Sequence, residues 1–355
     1  MFYPLQVKEI RKETADCVSI SFALSPDQQS DFEYIQGQYL TFKRNIDGEE
    51  VRRSYSLCSS PHADNELRVA VKKVENGRFS SFANEGLREG DILESMLPMG
   101  NFYPQLNSSN SKTYVMLAAG SGITPIFGII KSILKEEPNS KVQLIFGNKS
   151  DKDVIFKAEI DNLTSSNSAL EVHYVYSRQA SSHPLFEGHI SADKFKSFAA
   201  QNSSLNAADE YFICGPEKMI FDLKDHLEST GLSKEKIRFE LFTAVSAPQK
   251  DTSTQSSSST SGASQVKVIM DDEEFNFELE ESGDVILDAA IDAGVDAPYS
   301  CKGAVCCTCK AKVIEGEVEM EMNYALSDDE VEEGFILTCQ AHPKSAKLVV
   351  DYDQL

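Results

Sequence analysis

The chain has 355 residues, a formal net charge of −22 and 41% hydrophobic residues, which is enough to build ordinary cores. Length alone predicts two or three domains. The acidic balance argues against nucleic acid as a partner, and no apolar run reaches the ~20 residues that a membrane span needs.

The first part of the chain consists of short apolar or alternating runs separated by turns. Strands are predicted at residues 17–22, 39–42 and 67–71. Regularly spaced short strands of this kind are typical of an antiparallel barrel. We therefore predict a β-barrel domain over residues 1–107.

From about residue 112 the pattern changes to buried-strand runs that alternate with helical stretches. The strand runs are residues 114–119, 142–146, 170–176 and 210–214, and an apolar helical stretch at 125–134 follows the first of them. Strands that alternate with helices imply a parallel α/β sheet. This second domain is predicted to cover residues 108–245.

Residues 246–264 are rich in serine and threonine and have no apolar face to bury, so we predict a flexible linker there. It isolates a module at 265–355, with a predicted strand pair, a helix before the cysteines and a final strand. This module holds 22 Asp and Glu against 6 Lys and Arg, a net charge of −16. Its acidity is either a solvated surface or a steering surface for a basic redox partner.

Four cysteines of this module follow one spacing: Cys301-x4-Cys306-x2-Cys309, then Cys339 after 29 more residues. This is the plant-type spacing for a 2Fe-2S cluster. A zinc site usually shows two Cys-x2-Cys pairs, and disulfides need an oxidising compartment. Because residues 1–5 lack the features of a secretory signal, we expect a reduced, cytoplasmic protein. We interpret the four thiols as cluster ligands and the neighbouring Cys307 as a non-ligand.

The segment Arg53-Ser54-Tyr55-Ser56 is a candidate flavin site. A flavin needs an aromatic wall, a hydroxyl near its redox-active nitrogen and a cation for its phosphates, and Tyr55, Ser56 and Arg53 could supply these. Strand alternation puts Arg53 and Tyr55 on one face, and Ser54 and Ser56 on the other. Without context, a half-exposed barrel strand explains the segment equally well.

A second candidate segment runs from Lys72 through Gly77 to Ser80. Gly77 permits a tight turn, and the Ser80 hydroxyl with free N–H groups would bind phosphate oxygens. A pyrophosphate segment favours FAD over FMN.

One further segment suits a dinucleotide by its position, and a second is a candidate only through resemblance to a known family. The first follows a strand and opens a helix, where unpaired N–H groups and positive potential favour a pyrophosphate; its candidate residues are Gly120, Gly122, Thr124 and Pro125. The second lies at the end of the strand 210–214, and its candidate residues are Cys214, Gly215, Pro216 and Met219. A lone cysteine there is more often a buried structural residue.

Taken in order, these motifs resemble the ferredoxin-NADP reductase superfamily: Arg-x-Tyr-Ser, Gly-x-x-Ser, Gly-x-Gly-x-x-Pro and Cys-Gly-Pro-x-x-Met. With a C-terminal ferredoxin, the chain resembles the reductase components of bacterial multicomponent oxygenases. Residues 316–326 and 334–340 resemble one branch, the reductase subunits of phenylacetyl-CoA epoxidase (ring 1,2-epoxidase). The resemblance implies a flavin-binding barrel, a Rossmann-like nucleotide domain and a β-grasp ferredoxin. It also implies that Cys214 lies beside the nicotinamide ring, that Phe242 covers the flavin and that Glu240 lies near its edge.

The coenzyme choice rests on Ser177 and Arg178, which follow the strand ending at 176. An arginine there can pair bidentately with a 2′-phosphate, although an exposed loop arginine is an equal explanation. Lys149 stands where relatives often carry arginine, which weakens the phosphate assignment slightly. We predict NADPH, with NADH as the alternative.

The function implied by the resemblance is electron transfer from NAD(P)H through FAD and the 2Fe-2S cluster to an oxygenase, most closely the epoxidase of phenylacetate degradation. Two other enzymatic hypotheses are a reductase of another di-iron or Rieske oxygenase and a stand-alone NAD(P)H diaphorase or flavin reductase. A third hypothesis is a non-enzymatic metal-binding scaffold. The intact flavin, nucleotide and cysteine motifs argue against the scaffold.

Overall fold

The computed structural model describes residues 1–242 and 263–354. The chain divides into two compact units, Met1–Leu241 and Phe242–Leu355. Within the described ranges, no helix combines the length and the apolarity required to cross a bilayer. The predicted linker 246–264 lies outside the described residues except for its last two, and Ser264 already belongs to a strand.

The first half of the first unit is a six-stranded antiparallel sheet in the order β4-β3-β6-β1-β2-β5. Its strands are β1 (Tyr3–Thr14), β2 (Cys17–Ala23), β3 (Tyr39–Ile46), β4 (Glu49–Ser56), β5 (Leu67–Lys72) and β6 (Ile92–Ser95), and its helices are α1 (Pro26–Asp31) and α2 (Arg78–Ser81). A bridge between Leu57 and Val69 links the chain after β4 to β5, so the two edge strands of the sheet approach each other. This confirms the predicted antiparallel barrel.

The second half of this unit is a five-stranded parallel sheet in the order β11-β10-β7-β8-β9. The strands are β7 (Thr113–Ala119), β8 (Lys141–Asn148), β9 (Leu170–Tyr176), β10 (Glu210–Cys214) and β11 (Ile237–Glu240), and the helices are α3 (Ile123–Glu136), α4 (Lys157–Ser166), α5 (Ala192–Gln201) and α6 (Glu217–Ser229). All five strands run in one direction, so their carboxyl ends share one edge. The strand order reverses between β7 and β10, which is where such sheets bind ligands.

The barrel and the parallel sheet share one buried core. Cys58 and Ala70 of the barrel pack in the same cluster as Ile123 and Phe127 of α3. A buried hydrogen bond of 2.7 Å also joins the hydroxyls of Ser60 and Ser132. The barrel is thereby held against α3, the helix that follows the first predicted nucleotide segment.

The second unit contains a five-stranded mixed sheet in the order β13-β12-β18-β14-β16 and a two-stranded sheet of β15 and β17. The strands are β12 (Ser264–Met270), β13 (Glu273–Leu279), β14 (Lys310–Glu315), β15 (Val318–Met320), β16 (Phe335–Leu337), β17 (Ala341–Pro343) and β18 (Lys347–Asp351), and the helices are α7 (Ile286–Asp292) and α8 (Asp328–Glu332). Ile286, Leu287 and Ala290 of α7 are fully buried in this unit's core. The loop 301–309 lies between α7 and β14 and carries three of the four predicted ligands.

Candidate functional site

Strand β4 presents the predicted flavin residues on two faces, as its alternation requires. The Tyr55 ring packs against Phe79 with centroids 5.4 Å apart. Ser54 forms a hydrogen bond of 2.8 Å with Thr41 Oγ1, whereas Ser56 Oγ donates to Glu240 Oε2 at 2.9 Å. An aromatic wall and a hydroxyl that reaches the parallel sheet therefore occur on successive residues.

The two cations predicted to bind the flavin differ in their surroundings. Arg53 is exposed on β4, and its Nη1 donates to the carbonyl of Arg52 at 2.7 Å. Lys72 ends β5, where its Nζ lies 3.7 Å from the Asp16 carboxylate. Arg53 is thus open to an anion, whereas the charge of Lys72 already has a partner.

Gly77 lies in a tight turn, in which its N–H donates to the Val74 carbonyl at 3.1 Å. Gly77 has φ −75°, and the positive φ of 57° belongs to its neighbour Asn76. Gly77 is required for space instead, because a Cβ would lie 2.3 Å from Ser80 Oγ. The buried Ser80 hydroxyl accepts the Val74 N–H at 3.2 Å, so it holds the turn together. A cavity of about 500 Å³ opens beside this turn, lined in part by Ile46.

The first nucleotide segment lies at the carboxyl end of β7. Gly120 has φ 55°, in the left-handed region that favours glycine. A Cβ on Gly122 would lie 2.0 Å from the carbonyl oxygen of Cys214, so the two nucleotide motifs are in direct backbone contact. Thr124 Oγ1 donates to the Ser121 carbonyl at 3.0 Å, and Pro125 occupies the first turn of α3. The turn leaves space for the phosphates of a ligand at the start of the 14-residue helix α3.

The second nucleotide segment begins at Cys214, the last residue of β10. Cys214 is fully buried and lies in register with Ala118 of β7 and Glu240 of β11. Burial, and secondly the Glu240 carboxylate, raise the pKa of its thiol well above the usual range, so the thiol stays neutral. Next to it, a Cβ on Gly215 would lie 2.6 Å from Met219 Cε, and Pro216 directly precedes α6.

Glu240 is the titratable group where the barrel meets the parallel sheet. Burial raises the pKa of its carboxyl to about 8, although the hydrogen bond from Ser56 opposes part of that shift. A carboxyl with this pKa is protonated in a large fraction of molecules at neutral pH. The Glu240 carboxyl can therefore hold a proton within hydrogen-bonding reach of Ser56 Oγ.

This shift predicts a specific pH dependence of stability. Between the ordinary pKa of 4.5 and about 8, the folded chain keeps a proton that the unfolded chain loses. The free energy of unfolding should therefore fall as pH rises through this window, by up to about 1.4 kcal/mol per pH unit from this group. Thermal midpoints measured from pH 5.5 to 8 should show this decline relative to Glu240→Gln. The exposed Glu235→Gln should track the wild type, and parallel curves for all three proteins would contradict the assignment.

A polar residue that the motifs did not identify lies beside the first nucleotide segment. Asn148 ends β8, one residue beyond the pairing of Gly147 with Ala119. Its side chain is 8% exposed, and neither its amide oxygen nor its amide nitrogen has a hydrogen-bond partner among the described residues. Buried polar groups are normally satisfied, so Asn148 fits a site that a polar ligand completes. In the sequence, only its position at the end of a buried strand points to a role in the site.

The two residues predicted to select the coenzyme follow strand β9. Ser177 follows β9, and its N–H donates to the Asn148 carbonyl at 2.9 Å, which ties it to the same edge. Arg178 is exposed, and its N–H donates to the Lys149 carbonyl at 2.8 Å. Phe242 is 41% exposed, so its role as a flavin cover stays a prediction.

The four predicted cluster ligands are grouped in two pairs. Cys306 Sγ lies 3.2 Å from Cys301 Sγ, and the thiols of Cys309 and Cys339 are hydrogen-bonded to each other. Among the described residues, no three or more His, Cys, Asp or Glu side chains form a group around one metal ion. Two thiolates for each of two irons is the donor set that a 2Fe-2S cluster requires, so the residues fit the group.

The loop around these thiols adds backbone donors. The Gly303 N–H donates to Cys301 Sγ at 3.3 Å. Lys302 and Ala304 have φ of 49° and 61°, and such left-handed residues turn successive N–H groups toward an anion. Cys307 points elsewhere, since its Sγ donates to the Ala325 carbonyl at 3.3 Å. This contact agrees with its interpretation as a non-ligand.

Family models match the chain in three consecutive segments. Residues 4–103 match an oxidoreductase FAD-binding domain, residues 116–225 an oxidoreductase NAD-binding domain and residues 268–344 a 2Fe-2S iron-sulfur cluster binding domain. The three segments confirm FAD, NAD(P)H and a 2Fe-2S cluster as the predicted cofactors.

Curated relatives match over nearly the whole chain. One of the subunits of 1,2-phenylacetyl-CoA epoxidase from Escherichia coli (strain K12) is 38% identical over 99% of this chain and 98% of its own length. The ferredoxin reductase component of 3-ketosteroid-9-alpha-monooxygenase from Rhodococcus rhodochrous is 32% identical over 98% of this chain and 96% of its own length.

Two solved structures share the fold. Phthalate dioxygenase reductase superposes with a TM-score of 0.58 at 24% identity, over 99% of this chain and 98% of that protein. An intact type IV self-sufficient cytochrome P450 monooxygenase gives a TM-score of 0.73 at 18% identity, and this chain spans 41% of its length. The chain belongs to the family of oxygenase reductase components that join an FAD-binding domain, an NAD-binding domain and a 2Fe-2S ferredoxin domain in one polypeptide.

Proposed function

We propose that this protein is the NADPH-dependent reductase component of a multicomponent oxygenase, and that its acceptor is a phenylacetyl-CoA epoxidase. The observation that carries the electron-transfer function is the 2.9 Å bond from Ser56 to Glu240. It brings the flavin strand β4 to the strand next to Cys214. The 38% identity to a component of such an epoxidase over 99% of the chain supports the choice of acceptor.

Each group has a proposed set of residues. Arg53, Tyr55 and the turn from Gly77 to Ser80 hold FAD, with Ser54, Ser56 and Lys72 beside them. The nucleotide is held by residues of its two segments and by the two residues after β9. These are Gly120, Gly122, Thr124, Pro125, Ser177, Arg178, Cys214, Gly215, Pro216 and Met219. Cys301, Cys306, Cys309 and Cys339 hold the cluster. The proposed domains are the flavin domain at 1–107, the nucleotide domain at 108–245 and the cluster domain at 265–355.

The bound cofactors supply the redox chemistry, which is hydride donation by the nicotinamide and single-electron transfer by flavin and cluster. The chain positions the cofactors and holds a proton near the flavin strand. The Tyr55–Phe79 pair fixes the plane of one wall, and the neutral Cys214 thiol gives the nicotinamide a buried contact surface. The Glu240 carboxyl can hold a proton beside Ser56, whose Oγ donates to Glu240 Oε2 at 2.9 Å. Phe242 is proposed to cover the flavin.

The preference for NADPH over NADH tests the proposed nucleotide site. Arg178→Ala should lower kcat/KM for NADPH about tenfold, because a charge-assisted pair with the 2′-phosphate is lost. The value for NADH should stay within about twofold, since NADH has no such phosphate. Ferricyanide reduction with each coenzyme measures both. Lys152→Ala, another exposed cation on this edge, serves as control, and an equal loss with NADH would contradict the role of Arg178.

The acceptor is tested by reconstitution. Purified protein, NADPH and a phenylacetyl-CoA epoxidase oxygenase component should form epoxide in proportion to the NADPH consumed. Fast cytochrome c reduction without coupled product would refute this acceptor and favour a stand-alone diaphorase. The 32% identity to a ketosteroid monooxygenase reductase makes that oxygenase the comparison arm. Product formed only with the ketosteroid monooxygenase would show that the acceptor is another oxygenase.

A further inference from the structure

Asn148 is a buried polar residue whose side chain has no hydrogen-bond partner among the described residues. It is 8% exposed, and both its amide oxygen and its amide nitrogen are unpaired. No other side chain in the described part of the chain buries two such atoms. An unpaired buried polar group costs free energy, and buried groups are normally satisfied. The fold therefore keeps a donor and an acceptor here that it does not use itself.

Asn148 lies between the two parts of the proposed nucleotide site. Strand β8 lies between β7 and β9 in the sheet. On one side, β7 leads into the turn that starts α3; on the other, Asn148 pairs with Tyr176, which directly precedes Ser177 and Arg178. If the pyrophosphate lies at that turn and the 2′-phosphate at Arg178, the part of the coenzyme between them lies over the end of β8. That part is the adenosine ribose.

The side chain also lies on the face of the sheet that α3 covers. Alternation along β8 places Asn148 on the same face as Phe146 and Leu144, and both pack in one core cluster with Ile123, the first residue of α3. The backbone carbonyl of Asn148 accepts from the Ser177 N–H at 2.9 Å and from Ser177 Oγ at 3.4 Å. The carbonyl is thus committed to the fold, and the side chain is left for a ligand at the start of α3.

The amide favours a hydroxyl group over a phosphate as its partner. Asn148 Oδ1 needs a donor, and an ionised phosphate oxygen can only accept. A ribose hydroxyl supplies that donor, and the oxygens around it can accept from Nδ2. We propose that Asn148 binds the adenosine ribose of the coenzyme at its 3′-hydroxyl, which NADPH and NADH share. This inference rests on the proposed nucleotide site.

The test measures equilibrium binding of NADP+ and NAD+ to the full chain, without turnover. Asn148→Leu keeps the approximate shape and removes both polar atoms. Its Kd should rise about tenfold for both coenzymes, because the same hydrogen bonds are lost, whereas Arg178→Ala should weaken NADP+ alone. The thermal midpoint of the unliganded Asn148→Leu variant should rise by about 2 to 4 °C, because the variant no longer buries an unpaired amide.

Asn202→Leu is the matched control at the other end of β8. Asn202 Nδ2 donates to Gln143 Oε1 at 2.9 Å, and its Oδ1 accepts from the Ser204 N–H at 3.2 Å. This amide already has its partners within the protein. Its removal should lower the thermal midpoint and leave both Kd values within about twofold of wild type.

Unchanged Kd values in Asn148→Leu would overturn the proposal, and so would a loss confined to NADP+, which would place the amide at the 2′-phosphate. A lower thermal midpoint together with weaker binding would also overturn it, because the amide would then support the fold. If Asn148→Leu does not fold, Asn148→Ala is judged by the same two Kd values.

Nicotinamide hypoxanthine dinucleotide, which lacks the adenine amine, separates the ribose from the base. Asn148→Leu should lose the same factor in affinity for it as for NAD+, and a clearly smaller loss would show that the amide binds adenine instead. Failure of the wild-type protein to bind either coenzyme would refute the proposed function itself.

Discussion

Replacing Cys309 with alanine should remove the 2Fe-2S cluster and lower oxygenase-coupled turnover by at least about 100-fold. The reason is the pairing of Cys309 with Cys339, because loss of one thiol leaves an iron with an incomplete donor set. NADPH-driven reduction of ferricyanide should stay within about twofold of wild type, since the proposed flavin and nucleotide residues other than Phe242 lie on another unit. Iron and sulfide content and the two assays measure this directly.

The matched control is Cys307→Ala, which removes a neighbouring thiol in the same loop. Cys307 is 5% exposed and donates to the Ala325 carbonyl. We expect this variant to keep its cluster and its coupled turnover. Full cluster content in Cys309→Ala, or cluster loss in Cys307→Ala but not in Cys309→Ala, would contradict the ligand set.

Replacing Gly122 with alanine should lower kcat/KM for NADPH by about 100-fold, the effect expected when reacting groups are misplaced by about 1 Å. The new Cβ would lie 2.0 Å from the Cys214 carbonyl oxygen and 2.9 Å from the Gly215 nitrogen. Both neighbours are backbone atoms, so no flexible side chain can move away. The turn that starts α3 must shift away from β10, which separates the two nucleotide segments. Steady-state ferricyanide reduction measures the loss.

Ser121→Ala is the control for this prediction. It changes the adjacent residue of the same turn and keeps the carbonyl that accepts from Thr124. We expect kcat/KM within about threefold of wild type, as for most surface changes. Flavin content should be normal in both variants, because the flavin strand is untouched. Wild-type activity in Gly122→Ala would show that the close contact between the two motifs is not required.

Much of the fold follows from local patterns in the sequence. The parallel strands β7, β8, β9 and β10 are predicted within one or two residues of their observed ends. Continuous apolar runs between turns mark the buried strands β7, β8 and β10. Strand β1 spans 12 residues and had no predicted counterpart. Its exposed residues interrupt the apolar alternation, and its pairing with β2 and β6 supplies what the pattern lacks.

The candidate site was predictable where the chemistry is local. The spacing of the four cysteines identifies a cluster because one loop must supply three ligands. The bond from Ser56 to Glu240 joins residues 184 positions apart, and no spacing rule reaches that far. In the turn before α2 the positive φ belongs to Asn76, since asparagine also tolerates the left-handed region. Asn148 could not be recognised because an unsatisfied amide is visible only after folding.

The central claim is that electrons pass from NADPH through the flavin to the cluster. Anaerobic rapid mixing of the full chain with NADPH, with absorbance and freeze-quenched electron paramagnetic resonance, tests it most directly. We predict that flavin absorbance bleaches first and that the signal of the reduced cluster follows. In Cys309→Ala the bleaching should remain and the signal should be absent. A cluster signal that rises without prior flavin bleaching, or bleaching without any cluster signal in the wild type, would contradict the account.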